Sequence, residues 1–493
     1  MTPVPFTPVD QLASLPAALV ALFGAATMLL DVIGKRTPAT RRGTIFFGIL
    51  GLAFFAYALF EQSSALRLAG GRPLSALQGA VVIDPLSLFA NGLVCGASAI
   101  LLLTSYRYLE IAAEHHAEFY SLALFAQFGM YFMASGTDLV TLFLGMETTA
   151  ICFYVLVGFT RANRLSNEAS LKYLLLGAMA SGFVLYGFSL LYGIAGSTHL
   201  SDISTAVTAR GAFDPIVILA TVTATVGLLF KISAVPFHAW APDAYDGAPT
   251  PVTAHLSVAS SVAGFAVLLR VLEWMLASAR PVWEPMVAVA AVASLTVGSV
   301  AAITQDRLKR FFAYSSIAHA GYILLGFVAN SEDGRKGIAM YLFVYALMNL
   351  GAFTVLTSLK RRGIGGDLIH DLAGLSKRHP TQAALFVVLL LSLSGLPPTA
   401  GFLAKYFIFV ALLNTGHITL AVIAAAYVAV SLYFYFRLVR EMYLVEGEQP
   451  SEPVAASVGI RLSLAVTTAV TLVIGLFPEP LLRAGILFMG GPR

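Results

Sequence analysis

GLLFKISAVPFHAWAPDAYDGAPTPVTAHLS, residues 227–257, is the stretch on which the reading of the whole chain turns. An unbroken apolar run from Pro215 to Phe230 arrives at Lys231, and Pro236 follows within five residues. Proline lacks the amide donor that a helix needs and clashes with the preceding turn. A lysine is almost never buried without a partner in a soluble core. A long apolar run that ends on a lysine and then breaks therefore reads as a membrane-entering helix interrupted beside a buried cation.

The composition around this stretch agrees. The 493 residues are 58% hydrophobic and only 11% Asp, Glu, Lys or Arg, with a mean hydropathy of +0.82. A soluble chain carries about 25% charged residues. Most of this surface must face lipid. The hydrocarbon core is about 30 Å thick and needs roughly 20 apolar residues per helical crossing, and about fourteen such runs can be traced. They begin near Leu12, Gly43, Val81, Glu118, Asp138, Glu168, Pro215, Pro251, Val282, Lys309, Gly337, Thr381, Gly416 and Gly459. In lipid, backbone polar groups must be satisfied within a helix or a closed barrel. These runs are too long for barrel strands, so the fold class is an all-α membrane protein.

Several function classes drop out. The polar connections are too short to hold a soluble domain, and no Gly-x-Gly-x-x-Gly nucleotide loop is present. Cys95 and Cys152 stand alone within apolar runs, so no cysteine set for an iron–sulfur cluster or other metal is expected, and no cofactor is expected in this chain. The segment before the first run has no basic residue and does not resemble a cleaved secretory signal. Basic residues sort about two to one towards one side, in groups such as Lys35–Arg36, Arg41–Arg42, Lys309–Arg310 and Lys360–Arg362. By the positive-inside rule that side is cytoplasmic, and both termini are expected on the outer, periplasmic side. The net charge of +4 is then an orientation signal, and no nucleic-acid partner is implied.

The chemistry is expected where charge is expensive. An ionisable group at a bilayer-helix centre costs about 2.5–3.5 kcal/mol, so such groups read as an ion or proton path. Glu147 lies mid-run in LVTLFLGMETTAICFYVLVGF (139–159), Lys231 lies at the break described above, and Lys405 follows Pro397–Pro398 in LSLSGLPPTAGFLAKYFIFV (391–410). Interrupted helices beside buried charges point to a transporter's ion site. Lys172, four residues after Glu168, is read either as a fourth member of the path or as a side chain reaching the interface. His255 and His319 sit among small residues, where a packing role is the commoner one. Asp84 reads as a helix-start cap, and Arg270 with Glu273 as a surface pair near a helix end.

The same stretches carry a resemblance. Residues 227–257, together with FLGMETTAICFYVLVGF, RLKRFFAYSSIAHAGYILLG and SLSGLPPTAGFLAKYFIF, resemble in order the antiporter-like subunit N of proton-pumping NADH:quinone oxidoreductase, respiratory complex I. The resemblance implies two inverted five-helix repeats, each containing one interrupted helix. It divides the chain into helices 1–3 (residues 1–117), a first repeat of helices 4–8 (118–280), a second repeat of helices 9–13 (281–445) and a C-terminal helix 14 (446–493). It implies proton translocation along a Glu/Lys axis through Glu147, Lys172, Lys231 and Lys405, driven by quinone reduction in neighbouring subunits. FMN and iron–sulfur clusters would belong to those other subunits. The partners would be the remaining membrane subunits, the lipid bilayer and the quinone used by the complex, and the location a bacterial inner membrane. One departure stands out. Where the family carries a further lysine, this chain reads SVASSVAGF (257–265), with Ser261 at the matching place; water and Ser261, or His255 or His319, would have to serve instead. The rival reading is a subunit of a multisubunit sodium/proton antiporter, which would work without NADH oxidation. A mere helical scaffold is the third, and the proline breaks argue against it.

Overall fold

The computed structural model describes residues 6–34, 37–112, 114, 117–359, 367–447 and 457–479. Lys35, Arg36, Lys360, Arg361, Arg362 and both chain ends, on which the expected orientation partly rests, lie outside the described residues.

Helices α1 (Pro8–Ile33) and α2 (Pro38–Leu68) form an outer pair. Between α2 and α3 (Pro85–Ala112) runs a small antiparallel hairpin, β1 (Leu74–Ala76) against β2 (Val81–Ile83), with Ser75 opposite Val82. α4 (Ala117–Ser135), α5 (Leu139–Val157) and α6 (Arg164–Ala195) follow, then the short α7 (Leu200–Arg210). α8 (Pro215–Lys231) ends at the lysine, and the chain resumes with α9 (Trp240–Gly247). The next span is continuous from Thr250 to Met275 but uneven. It comprises α10 (Thr250–His255), a π segment, α11 (Ser261–Leu268) and a second π segment, Leu269–Met275. α12 (Arg280–Ile303), α13 (Leu308–Ala329) and α14 (Glu332–Leu359) are long, and α15 (Leu375–Arg378) is a single turn. α16 (Pro380–Ser394) and α17 (Ala400–Asn414) flank the second break, and α18 (Ile418–Leu444) and α19 (Val458–Leu476) complete the order.

Eleven of the described helical spans are long and apolar enough to cross a membrane, and α8, α16 and α17 are shorter apolar helices. The radial order follows from burial. Thr250–Met275, α13 and α14 are 94%, 89% and 89% buried, whereas α1, α6 and α18 are only about a third buried. Those outer helices turn Leu22, Leu29, Leu175, Met179 and Val422 outward, the arrangement expected when the surrounding solvent is hydrocarbon. The three central helices carry His255, Ser261 and His319.

The reading of Arg270 and Glu273 as a surface pair is corrected. Arg270 is completely buried and forks onto Asp84, with Nη1 3.1 Å from Oδ2 and Nη2 3.0 Å from Oδ1. Glu273 faces Arg335 instead, at 3.5 Å. The cause is the second π segment. Its widened turn stops residues three apart from sharing a face, and it aims Arg270 into the bundle. Asp84 is a cap as expected, accepting from Ser87 N at 2.8 Å, and it also serves as the arginine's counter-ion.

Candidate proton path

Glu147 and Lys231 line one cavity because α6 and α8 approach closely. A Cβ added at Gly187 would lie 2.6 Å from the backbone nitrogen of Ala224, and one at Gly227 would lie 2.9 Å from the carbonyl of Ala180. Absence of side chains at these two positions lets α8 seat against α6, with α5 alongside. Glu147 of α5, Ser181 of α6 and Lys231 of α8 then line one small cavity of about 10 Å³, at the lower limit for a single water. The Ser181 hydroxyl donates to Glu147 Oε1, and Lys231 Nζ donates to the carbonyl of Met146 at 3.2 Å. No ion pair joins Glu147 to Lys231 among the described residues; carboxylate and ammonium share the cavity without touching.

The break after Lys231 leaves backbone groups that lipid could not satisfy, and the protein satisfies them. The carbonyl of Phe230 accepts from Trp240 Nε1 at 3.0 Å, and Val235 N donates to Ser294 Oγ at 2.9 Å. The second break uses its lysine directly. Gly395 ends α16 at φ +86, a conformation glycine adopts without a steric cost, and Lys405 reaches back from α17 to the end of that helix. Its Nζ donates to the carbonyl of Ser394 at 2.7 Å and lies 4.9 Å from the centre of the Tyr322 ring. A cation there meets the negative end of the α16 dipole. Among the described residues, Lys405 has no carboxylate partner.

The buried helices of the bundle carry a row of polar groups. Ser257, in the first π segment, accepts from Asn349 Nδ2 at 2.7 Å, and Asn349 also donates to Tyr345 OH at 3.0 Å. Tyr345 OH donates to Ser316 Oγ at 2.8 Å. One turn along α13, His319 hydrogen-bonds through Nδ1 with Tyr341 OH at 2.7 Å and through Nε2 with Tyr435 OH at 3.1 Å. The Tyr341 ring stacks on Tyr322, the ring beneath Lys405. Ser261 stands one turn before Gly264, where an added Cβ would lie 3.9 Å from Lys231 Cβ, so α11 brings it alongside the first lysine.

Two of the sequence-selected residues stand apart. Lys172 is nearly half exposed and is held by Glu168 and Asp243, each at 2.8 Å. Arg310 also pairs with Asp243, so Lys172 belongs to an ion-pair cluster at the edge of the bundle. His255 is fully buried against Ser98 Oγ, 2.9 Å from Nε2. Sequence reasoning passed over Tyr341, Tyr345 and Asn349. Their spacing of four places all three on one stripe of α14, and that was the available signal.

Comparison with known proteins gives the family of the chain. Residues 136–431 match the family described as NADH:quinone oxidoreductase/Mrp antiporter, TM. The chain is 53% identical to NADH-quinone oxidoreductase subunit N 2 of Solibacter usitatus, over 96% of each chain. It is similar to a chain of respiratory complex I from Thermus thermophilus, with a TM-score of 0.79, 33% identity and coverage of 95% of this chain and 98% of that one. A chain of an archaeal membrane-bound sulfane sulfur reductase shares the fold, with a TM-score of 0.87, 23% identity and coverage of 97% and 96%.

Proposed function

The chain belongs to the subunit N family of NADH-quinone oxidoreductases, and from that premise we propose that it moves protons through the membrane arm of such a complex along the Glu147–Lys231–His319–Lys405 row. The observation that carries the reading is a pair of lysines at two broken helices, in a bundle whose core also holds the hydrogen-bonded groups Ser257–Asn349–Tyr345–Ser316 and Tyr341–His319–Tyr435. The complex sits in a bacterial inner membrane with the termini of this chain on the outer side. Its other membrane subunits are this chain's partners, and FMN, iron–sulfur clusters and the quinone site lie in subunits other than this one. The two broken helices belong to two inverted five-helix repeats, residues 118–280 and 281–445, within about fourteen transmembrane helices.

Glu147 and Lys231 act as the switch. At an effective dielectric of about 20, a carboxylate 5 Å from an ammonium stabilises it by ~3 kcal/mol. That is comparable with moving one proton against ~150 mV, at about 2.3 kcal/mol per 100 mV. When Glu147 swings towards Lys231 the lysine holds its proton; when it is drawn away, the lysine releases it towards Ser257, Asn349 and Tyr345. His319 passes it between Tyr341 and Tyr435, and Lys405 receives it at the end of α16. Ser261, beside Lys231 where the family has a lysine, takes part through water. Lys172 tunes the entrance from its cluster with Asp243.

The test is Glu147→Gln in the intact complex. Protons moved per electron should fall while NADH oxidation and assembly persist. An unchanged ratio in a fully assembled complex removes Glu147 from the path.

A further inference from the structure

A row of buried polar groups on α3 takes no part in the path above. Asp84 at the helix start, Ser87, Asn91 and Ser98 follow spacings of three, four and seven, which place them on one stripe of the helix. Each is at most 4% exposed. The stripe spans about 20 Å, at 1.5 Å per residue. Each end meets something distinct. At the hairpin end, Asp84 and its partner Arg270 line a cavity of about 590 Å³ beneath β1–β2, shared with His199 and Trp274 and roomy enough for a cluster of waters. At the inner end, Ser98 Oγ donates to Gln127 Oε1 at 2.7 Å and bonds with His255 Nε2 at 2.9 Å. In between, Asn91 Nδ2 donates to Ser135 Oγ at 3.0 Å.

The stripe is under-bonded in a specific way. Asn91 Oδ1, Gln127 Nε2 and His255 Nδ1 are buried and have no hydrogen-bond partner among the described residues. A buried polar atom left unpaired costs about 1–3 kcal/mol. Three such atoms lie on α3 and on the two helices that its inner end meets, and a buried water, which bonds to about three polar groups, is the group that would satisfy each. A purely structural stripe would be closed among its own side chains or built from leucine.

We propose that this stripe is a hydrated branch by which water, and protons with it, reaches His255 from the membrane face that carries the β-hairpin. The identity of the moving species rests on the proton-carrying reading above; the wetting does not. The branch gives His255 a connection to one face that is separate from the Lys231–Lys405 row.

X-ray hydroxyl-radical footprinting of the intact complex tests it, because the radicals form from water at the site. Cys95 shares the stripe's face between Asn91 and Ser98, whereas Cys152 is comparably buried on α5. Cys95 should oxidise at least tenfold faster than Cys152, and Asn91→Leu should bring the two rates together. Ser98→Val gives the same reading if Asn91→Leu fails to assemble. Equal oxidation of the two thiols in the native complex overturns the branch. That outcome is independent of the Glu147→Gln pumping ratio, so either proposal can fail without the other.

Discussion

Removing the Arg270 side chain strands Asp84. Arg270 is fully buried and donates twice to Asp84, at 3.0 and 3.1 Å, and twice to the carbonyl of Ala134, at 2.7 and 2.8 Å. At 3.0 Å and an effective dielectric of about 20, the Coulomb attraction alone is ~5 kcal/mol. Removing one partner of a buried pair costs about 3–5 kcal/mol, because an uncompensated charge stays behind. Arg270→Met and Asp84→Leu are each expected to destabilise the chain by that amount. The double variant replaces both charges with apolar groups and should lie closer to the native protein than either single variant. The assay is a double-mutant cycle on the unfolding midpoint of the detergent-solubilised complex, followed by release of this chain. A coupling of at least 2 kcal/mol is expected. If the double variant loses the sum of the two single losses, the pair is not coupled and the ion-pair account of this site is wrong.

Two further outcomes are expected. Lys405→Met should abolish proton movement while leaving stability unchanged or higher, since its ammonium is buried against carbonyls with no carboxylate among the described residues; transport that survives the change, measured in reconstituted vesicles, restores the scaffold reading. Gly227→Leu should lower stability by about 1–3 kcal/mol through overpacking against Val184 and the carbonyl of Ala180. It should also depress pumping with it, because the wedge separates α6 from α8 and hence Ser181 and Glu147 from Lys231. A stable variant with native pumping would show that the close approach is not what positions the pair.

Residue type and order alone determined a good deal here. The deficit of charge required lipid, and Lys231 with Pro236 and Lys405 with Pro397–Pro398 marked two interrupted helices. Glu147 stood out because an acid in mid-span is costly wherever the span is placed. Such inferences can be made from sequence because they concern the free energy of one residue in one solvent, which needs no knowledge of neighbours. Tyrosine, asparagine and serine carry no such penalty marker, and each reads alone as packing. Only tertiary structure brought Asn349 to Ser257 across 92 residues, and Arg270 to Asp84 across 186. It also moved Lys172 to an edge cluster and turned Arg270 inward through a π segment that no local propensity announced. A hydrogen bond requires two groups at about 3 Å in the right orientation, and that distance is set by how whole helices pack.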